Sequence, residues 1–304
     1  MNAQRIVSMG FPGWQHDEGR PSGIFHTYDA LNLGDGGRKV HVFLPRTIQG
    51  PLPVAYMHDG DTALWPGGVA GQTWDAAGVL DRMGASRPGL MLVAIHSPDR
   101  NAEYTHADWA QGQRPWGHLP LYTAYLADRL KPFIDAAYPT RPEPRHTAVI
   151  GSSHGGLASF WQATRRPDRF GFAGCLSPSF FTGIDRLEPD GARPVALADA
   201  PLLTPVASLL ADVQRRPRLW LDWGLVRTGG RHNAVVEALA TARGREMAAL
   251  LTDVYGYTRQ SLSPGEAPSA AELWVQEDPH GEHSERSWQR RLPGVLRAFA
   301  SGWS

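Results

Sequence analysis

One cysteine in 304 residues, Cys175, leaves no room for an intrachain disulfide or a thiolate metal cluster. It sits in the apolar stretch Phe172-Ala173-Gly174-Cys175-Leu176, which predicts a buried strand and a core thiol. Charge of one sign is missing too. Thirty Lys and Arg face thirty Asp and Glu, so no net field draws the chain to nucleic acid or to an anionic membrane. No apolar run approaches the length of a membrane span, and none follows Met1 as a secretory signal would. A cytoplasmic protein is therefore expected. Repeats, low-complexity tracts and linkers are also lacking, which predicts one domain over residues 1–304 with an irregular lead-in over 1–22, rich in glycine and proline.

What is present is alternation. Short apolar runs such as Val54-Ala55-Tyr56-Met57-His58 and Leu90-Met91-Leu92-Val93-Ala94-Ile95 are separated by segments of helical spacing near 74–83, 121–137, 233–243 and 284–299. Near-continuous apolar strands are those of a parallel sheet covered on both faces. The pattern predicts a doubly wound α/β domain, with a site assembled from loops at the carboxyl ends of the strands. Eleven tryptophans are many for this length, and Trp14, Trp65, Trp74, Trp109 and Trp116 fall in loop-like segments that could line a cleft.

The most informative stretch is Val149-Ile150-Gly151-Ser152-Ser153-His154-Gly155-Gly156-Leu157. It reads as a strand, a tight turn and a helix, with Ser153 at the tip of a G-x-S-x-G elbow. A serine hydroxyl needs an adjacent base, usually histidine, whose tautomer is held by a third group. His283 lies after the last expected strand and beside the start of the closing helix, and is preferred as the base over His280. His280-Gly281-Glu282-His283 lacks the spacing that would place two metal ligands on one helical face, and no metal or cofactor is expected.

Further segments carry a family resemblance over nearly the whole chain. Arg38-Lys39-Val40-His41-Val42-Phe43-Leu44-Pro45, Tyr56-Met57-His58-Asp59-Gly60, Arg100-Asn101-Ala102-Glu103-Tyr104, Pro167-Asp168-Arg169-Phe170-Gly171, Ser177-Pro178-Ser179 and Gly281-Glu282-His283-Ser284-Glu285-Arg286-Ser287-Trp288 join the elbow in this. Together they resemble the esterase family that includes enterochelin esterases, S-formylglutathione hydrolase-like proteins and mycolyltransferase-like relatives. The resemblance implies an α/β-hydrolase three-layer sandwich with a mostly parallel central sheet. It implies a small-molecule ester as substrate, Ser153 as nucleophile, His283 as base, and the backbone N–H groups of His154 and Asp61 as the oxyanion hole.

One position departs from the family pattern. Arg227 stands where relatives carry the acid after the strand Leu219–Trp223. Asp222, at the strand end, is the nearest carboxylate and the expected orienting acid, while Glu237 is expected to lie too far along the next helix. A Ser–His pair without an acid is the remaining option. Trp65, Trp109, Trp116 and Phe180 are expected to line the substrate site, and Arg100, Arg114, Arg227 and Arg231 could meet an anionic group. The leading expectation is a serine hydrolase of carboxylic esters. A catalytically silent binding protein is the alternative that Arg227 motivates, and an acyltransferase is a third reading. The oligomeric state stays open, a homodimer among the options.

Overall fold

A computed structural model describes residues 2–34, 36–68, 71–107, 116–185 and 195–303. The strands are β1 (Asn2–Ser8), β2 (Phe11–Asp17), β3 (Gly23–Leu31), β4 (Arg38–Pro45), β5 (Val54–Met57), β6 (Met91–Ile95), β7 (Thr147–Ser152), β8 (Phe172–Leu176), β9 (Arg218–Gly224), β10 (Arg259–Leu262) and β11 (Leu273–Asp278). The helices are α1 (Gly60–Ala63), α2 (Ala76–Met83), α3 (Arg100–Glu103), α4 (Leu119–Tyr125), α5 (Lys131–Ala137), α6 (His154–Arg165), α7 (Ala207–Ala211), α8 (Ala238–Asp253) and α9 (Glu285–Ala300). Among the described residues the strands form one sheet in the order β1-β2-β3-β4-β6-β5-β7-β8-β9-β11-β10.

The sheet has two characters. From β6 through β5, β7, β8, β9 and β11 to β10 every pairing is parallel. From β1 to β4, and from β4 onto β6, every pairing is antiparallel. The expected irregular lead-in is corrected here, because residues 2–17 form a hairpin that pairs with β3. Met9 and Gly10, both at positive φ, make its turn. The sequence signal is weak because the burial of β2 alternates only loosely, with Gly13 seated against Thr27 and Tyr28.

Side-chain alternation builds two cores. Val54, Tyr56, Val93, Ile95 and Val149 point to one face, where Leu126, Leu130, Ile134, Leu157, Phe160 and Met247 cover them. Ala55, Met57, Leu92, Ala94, Ala148 and Ile150 point to the other, against Val79 and Leu80 of α2 and Leu292, Val295 and Phe299 of α9. The result is the three-layer α/β-hydrolase sandwich, with helices on both faces of a mostly parallel sheet. Two other differences arise from helix irregularity. The helix expected over 121–137 contains a π turn at Leu126–Leu130 between α4 and α5. The helix expected over 233–243 opens with a π turn at His232–Glu237 and runs on to Asp253.

Candidate active site

β7 ends at Ser152, and the chain turns into α6 through Ser153 at φ 55° and ψ −121°. A non-glycine residue there is strained by roughly 1–3 kcal/mol and must be held by its surroundings. The Ser153 amide donates to Leu176 O at 2.9 Å, and Ser153 O accepts from the Leu157 and Ser179 amides at 3.1 and 3.0 Å. Gly151 permits the turn, since a Cβ there would sit 2.6 Å from the Gly155 backbone. The Ser153 hydroxyl lies 3.2 Å from that of Ser179, which is fully buried.

The turn after β5 packs beside the elbow. Asp59, at φ 53°, precedes α1, and Asp61 lies in the first turn. Arg100 clamps the Asp59 carboxylate with bonds of 2.6 and 3.1 Å and reaches Ser152 O at 3.3 Å. Tyr104 Oη accepts the Asp59 amide at 3.0 Å. Arg38 likewise grips Glu103 at 3.0 and 2.9 Å. The charged residues of the family-like segments therefore brace one another around the elbow and the adjacent turn.

His283 enters from the loop between β11 and α9. Its amide donates to Asn233 Oδ1 at 2.9 Å, and its ring meets Trp288 edge-on at 5.1 Å between centroids. Ring nitrogen Nδ1 lies 2.5 Å from Glu237 Oε2. The Glu237 side chain is fully buried, and its Oε1 accepts from Ser177 Oγ at 2.8 Å and from the Gly224 amide. Burial pushes the Glu237 carboxyl up. The bond from His283, the charges of His283 and Arg291 and the Gly224 amide outweigh that and hold it below the ordinary glutamate range.

The expectation for Asp222 is thereby corrected. Its carboxylate is engaged by other partners, accepting from Trp220 Nε1 at 2.8 Å and from the Ser177 amide at 3.3 Å, and pairing with Arg291 at 3.1 Å. Burial raises its carboxyl to about 6. The reason is strand geometry. Asp222 alternates to the face carrying Trp220, whereas the π turn at His232–Glu237 brings Glu237 back over the end of β9. Arg227 is engaged elsewhere, donating to Gly224 O, Val226 O and Thr241 Oγ1.

Ser153 and His283 line one cleft of about 500 Å³, together with Asp61, Arg100, His232 and Trp288. Ser153 Oγ bonds Ser179 and His283 Nδ1 bonds Glu237, and among the described residues no hydrogen bond joins Ser153 to His283 directly. Two expected lining residues lie elsewhere. Trp65 packs against His16, Phe25 and His41 and donates to Glu18 at 2.8 Å, at β2–β4 on the sheet face that α2 and α9 cover. Phe180 is fully buried edge-on to Phe160. Trp116 meets His154 edge-on at 5.9 Å, beside the elbow but outside the cleft lining. Trp109 and Arg114 lie outside the described residues. Arg100 is committed to Asp59. Among the described residues Trp288 is the tryptophan that lines the cleft, and its place in the segment following His283 was the available signal. Among the described residues, no three His, Cys, Asp or Glu side chains are grouped to hold a metal, and no helix is long and apolar enough to cross a membrane.

The sandwich, the strand–turn–helix elbow and the late histidine define an α/β-hydrolase fold. Within it the chain belongs to the family described as "Putative esterase", which matches across residues 33–299. It is 27% identical over 172 residues to an uncharacterized Bacillus subtilis (strain 168) protein, YbbA. That match covers 52% of this chain and 66% of the relative, just under two thirds of its length. An IroE-like serine hydrolase from Shewanella oneidensis superposes with a TM-score of 0.59 at 17% identity, covering 98% of this chain and 80% of that one. The enterobactin esterase of Shigella flexneri superposes at 0.58 and 17% identity, over 95% of this chain and 61% of that one. At these identities the superpositions speak for the fold.

Proposed function

We propose that the protein is a serine hydrolase of carboxylic esters, with Ser153 as nucleophile, His283 as general base and Glu237 as the orienting acid. The observation that carries this reading is the 2.5 Å contact between His283 Nδ1 and the buried Glu237, on the cleft that also presents Ser153. A carboxylate at Nδ1 keeps the proton there and leaves Nε2 free to accept from the serine. Ser153 Oγ swings from Ser179 toward Nε2, attacks the ester carbonyl and gives its proton to His283. The backbone N–H groups of His154 and Asp61, at the starts of α6 and α1, hold the oxyanion. His283 then protonates the leaving alcohol, and water repeats the sequence on the acyl-enzyme.

Arg227 no longer argues for a silent cleft, because Glu237 fills the acid's place. One observation does favour ligand binding without turnover: Ser153 Oγ bonds Ser179 rather than His283. Incubation with a fluorophosphonate probe and assay with p-nitrophenyl acetate separates the two readings. Labelling that is lost in Ser153→Ala, with turnover lost alongside, is the expected result. A folded wild-type protein that neither labels nor turns over would leave the binding reading standing.

A further inference from the structure

Behind Glu237 sits a hydroxyl whose proton has only one place to go. Ser177 Oγ accepts from Trp288 Nε1 at 3.2 Å and from Arg291 Nη2 at 3.0 Å. Indole and guanidinium nitrogens only donate. The one proton of Ser177 is therefore directed to Glu237 Oε1 at 2.8 Å. The Gly224 amide also donates to Oε1, so that oxygen carries two donors and has no site for a proton of its own. Oε2 alone remains, and it faces His283 Nδ1.

Ser177 is held for this task at some conformational cost. It has φ 43°, a left-handed conformation that disfavours a residue with a side chain. Its amide is fixed by Asp222 O at 2.8 Å. Asp222 in turn pairs with Arg291, the residue that donates to the Ser177 hydroxyl. The carboxylate that failed as the direct partner of His283 thus stands one step further back, holding the arginine that fills a lone pair of Ser177.

We propose that the Ser177 hydroxyl is a positioning group, which fixes Glu237 as a pure acceptor and so sets the ring nitrogen of His283 that faces Ser153. This rests on the reading of Ser153, His283 and Glu237 as the catalytic set. The ionisable groups packed around the pair are Asp222 of β9, Arg291 of α9 and Asp278 of β11, 4.0 Å from Arg291. His232 stacks obliquely on His283 from the π turn. His154 of α6 and Cys175 of β8 are kept neutral by burial, which pushes the imidazole down to about 3 and the thiol up. A donor on Glu237 stabilises its carboxylate, so removing that donor moves protonation of the carboxyl toward higher pH.

The test compares wild type with Ser177→Ala and Ser177→Gly, the glycine variant relieving the positive φ while also removing the hydroxyl. Each is assayed for kcat, KM and the pH dependence of kcat/KM on p-nitrophenyl acetate. We expect kcat to fall about 10- to 100-fold with KM nearly unchanged, and the acid limb of kcat/KM to move to higher pH. Folded Ser177→Gly with an unmoved acid limb and wild-type kcat would overturn the positioning role. Glu237→Gln is measured alongside. Unchanged turnover there would remove the catalytic set itself, whereas collapse there with no effect at Ser177 would remove only this inference.

Discussion

Ser153 and Glu237 stand at opposite ends of one proposed relay, and the chain places them by different means. Ser153 is set by its neighbours in sequence: a strand, a glycine at 151, a turn at φ 55° and a helix, all within residues 147–165. Glu237 is set by distant ones. Its carboxylate meets a hydroxyl 60 residues away, an imidazole 46 away and an amide 13 away. The helix that carries it must open with a π turn to bring it there. A local device can be read from a short motif, whereas a device assembled from four segments cannot.

The comparison breaks most sharply by substitution at the distant end. Glu237→Gln should lower kcat by about 10⁴-fold, as expected when the base loses the group that holds its tautomer. Asp222→Asn should lower kcat by less than about tenfold while reducing stability by roughly 3–5 kcal/mol, the scale for breaking a buried ion pair. Steady-state kinetics and urea unfolding of both variants check this, and the opposite ranking of the kcat losses would restore Asp222 as the orienting acid.

Acid should separate the two ends by pH. His58 lies under the elbow, with its Cβ 3.2 Å from the position a Gly155 Cβ would take, and burial pushes its imidazole down to about 4. Because the folded pKa is depressed, its contribution is complete above about 6.5 and is lost as pH falls toward 4, up to about 3 kcal/mol. The Glu237 carboxyl is also depressed, so its contribution is lost only at lower pH, below the ordinary glutamate range. Unfolding free energies measured from pH 7 to pH 3 should show a first decline that His58→Gln flattens and Glu237→Gln does not.

A milder perturbation acts on the seam between the ends. A Cβ on Gly224 would lie 2.3 Å from Gly281 O, so Gly224→Ala must push the His283 loop away from β9. A displacement of about 1 Å at a catalytic base costs on the order of 100-fold in kcat, with fluorophosphonate labelling slowed to match. The smallest effect is expected at Trp65. Trp65 packs against the core beside Phe25 and outside the cleft lining, so Trp65→Leu should leave kcat/KM within about twofold while lowering thermal stability. A large rise in KM would return Trp65 to the substrate site.

The parallel half of the sheet was legible because each strand is a short apolar run bounded by glycine, proline or charge. Residues 2–17 were not, since β1 is largely exposed and, among the described residues, pairs only with β2. Ser153 and His283 were legible from motif and chain order, and the structure brings them to one cleft. Glu237 was passed over because an ordinary helix register places a residue that far from the strand end on the wrong turn, and nothing local announces a π turn. Trp65 and Phe180 were misplaced because aromatic loop residues line clefts and fill cores with the same sequence signature. Ser177 carried a signal only as a serine beside Pro178 in a family-like segment, since its function depends on Trp288 and Arg291 more than a hundred residues away.

The central claim is that Glu237, not Asp222, holds the Nδ1 proton of His283. Low-field proton NMR of the folded protein reads that proton directly. The account predicts a strongly deshielded imidazole signal in wild type that persists in Asp222→Asn and disappears in Glu237→Gln. A signal that survives in Glu237→Gln, or that vanishes in folded Asp222→Asn alone, would contradict it.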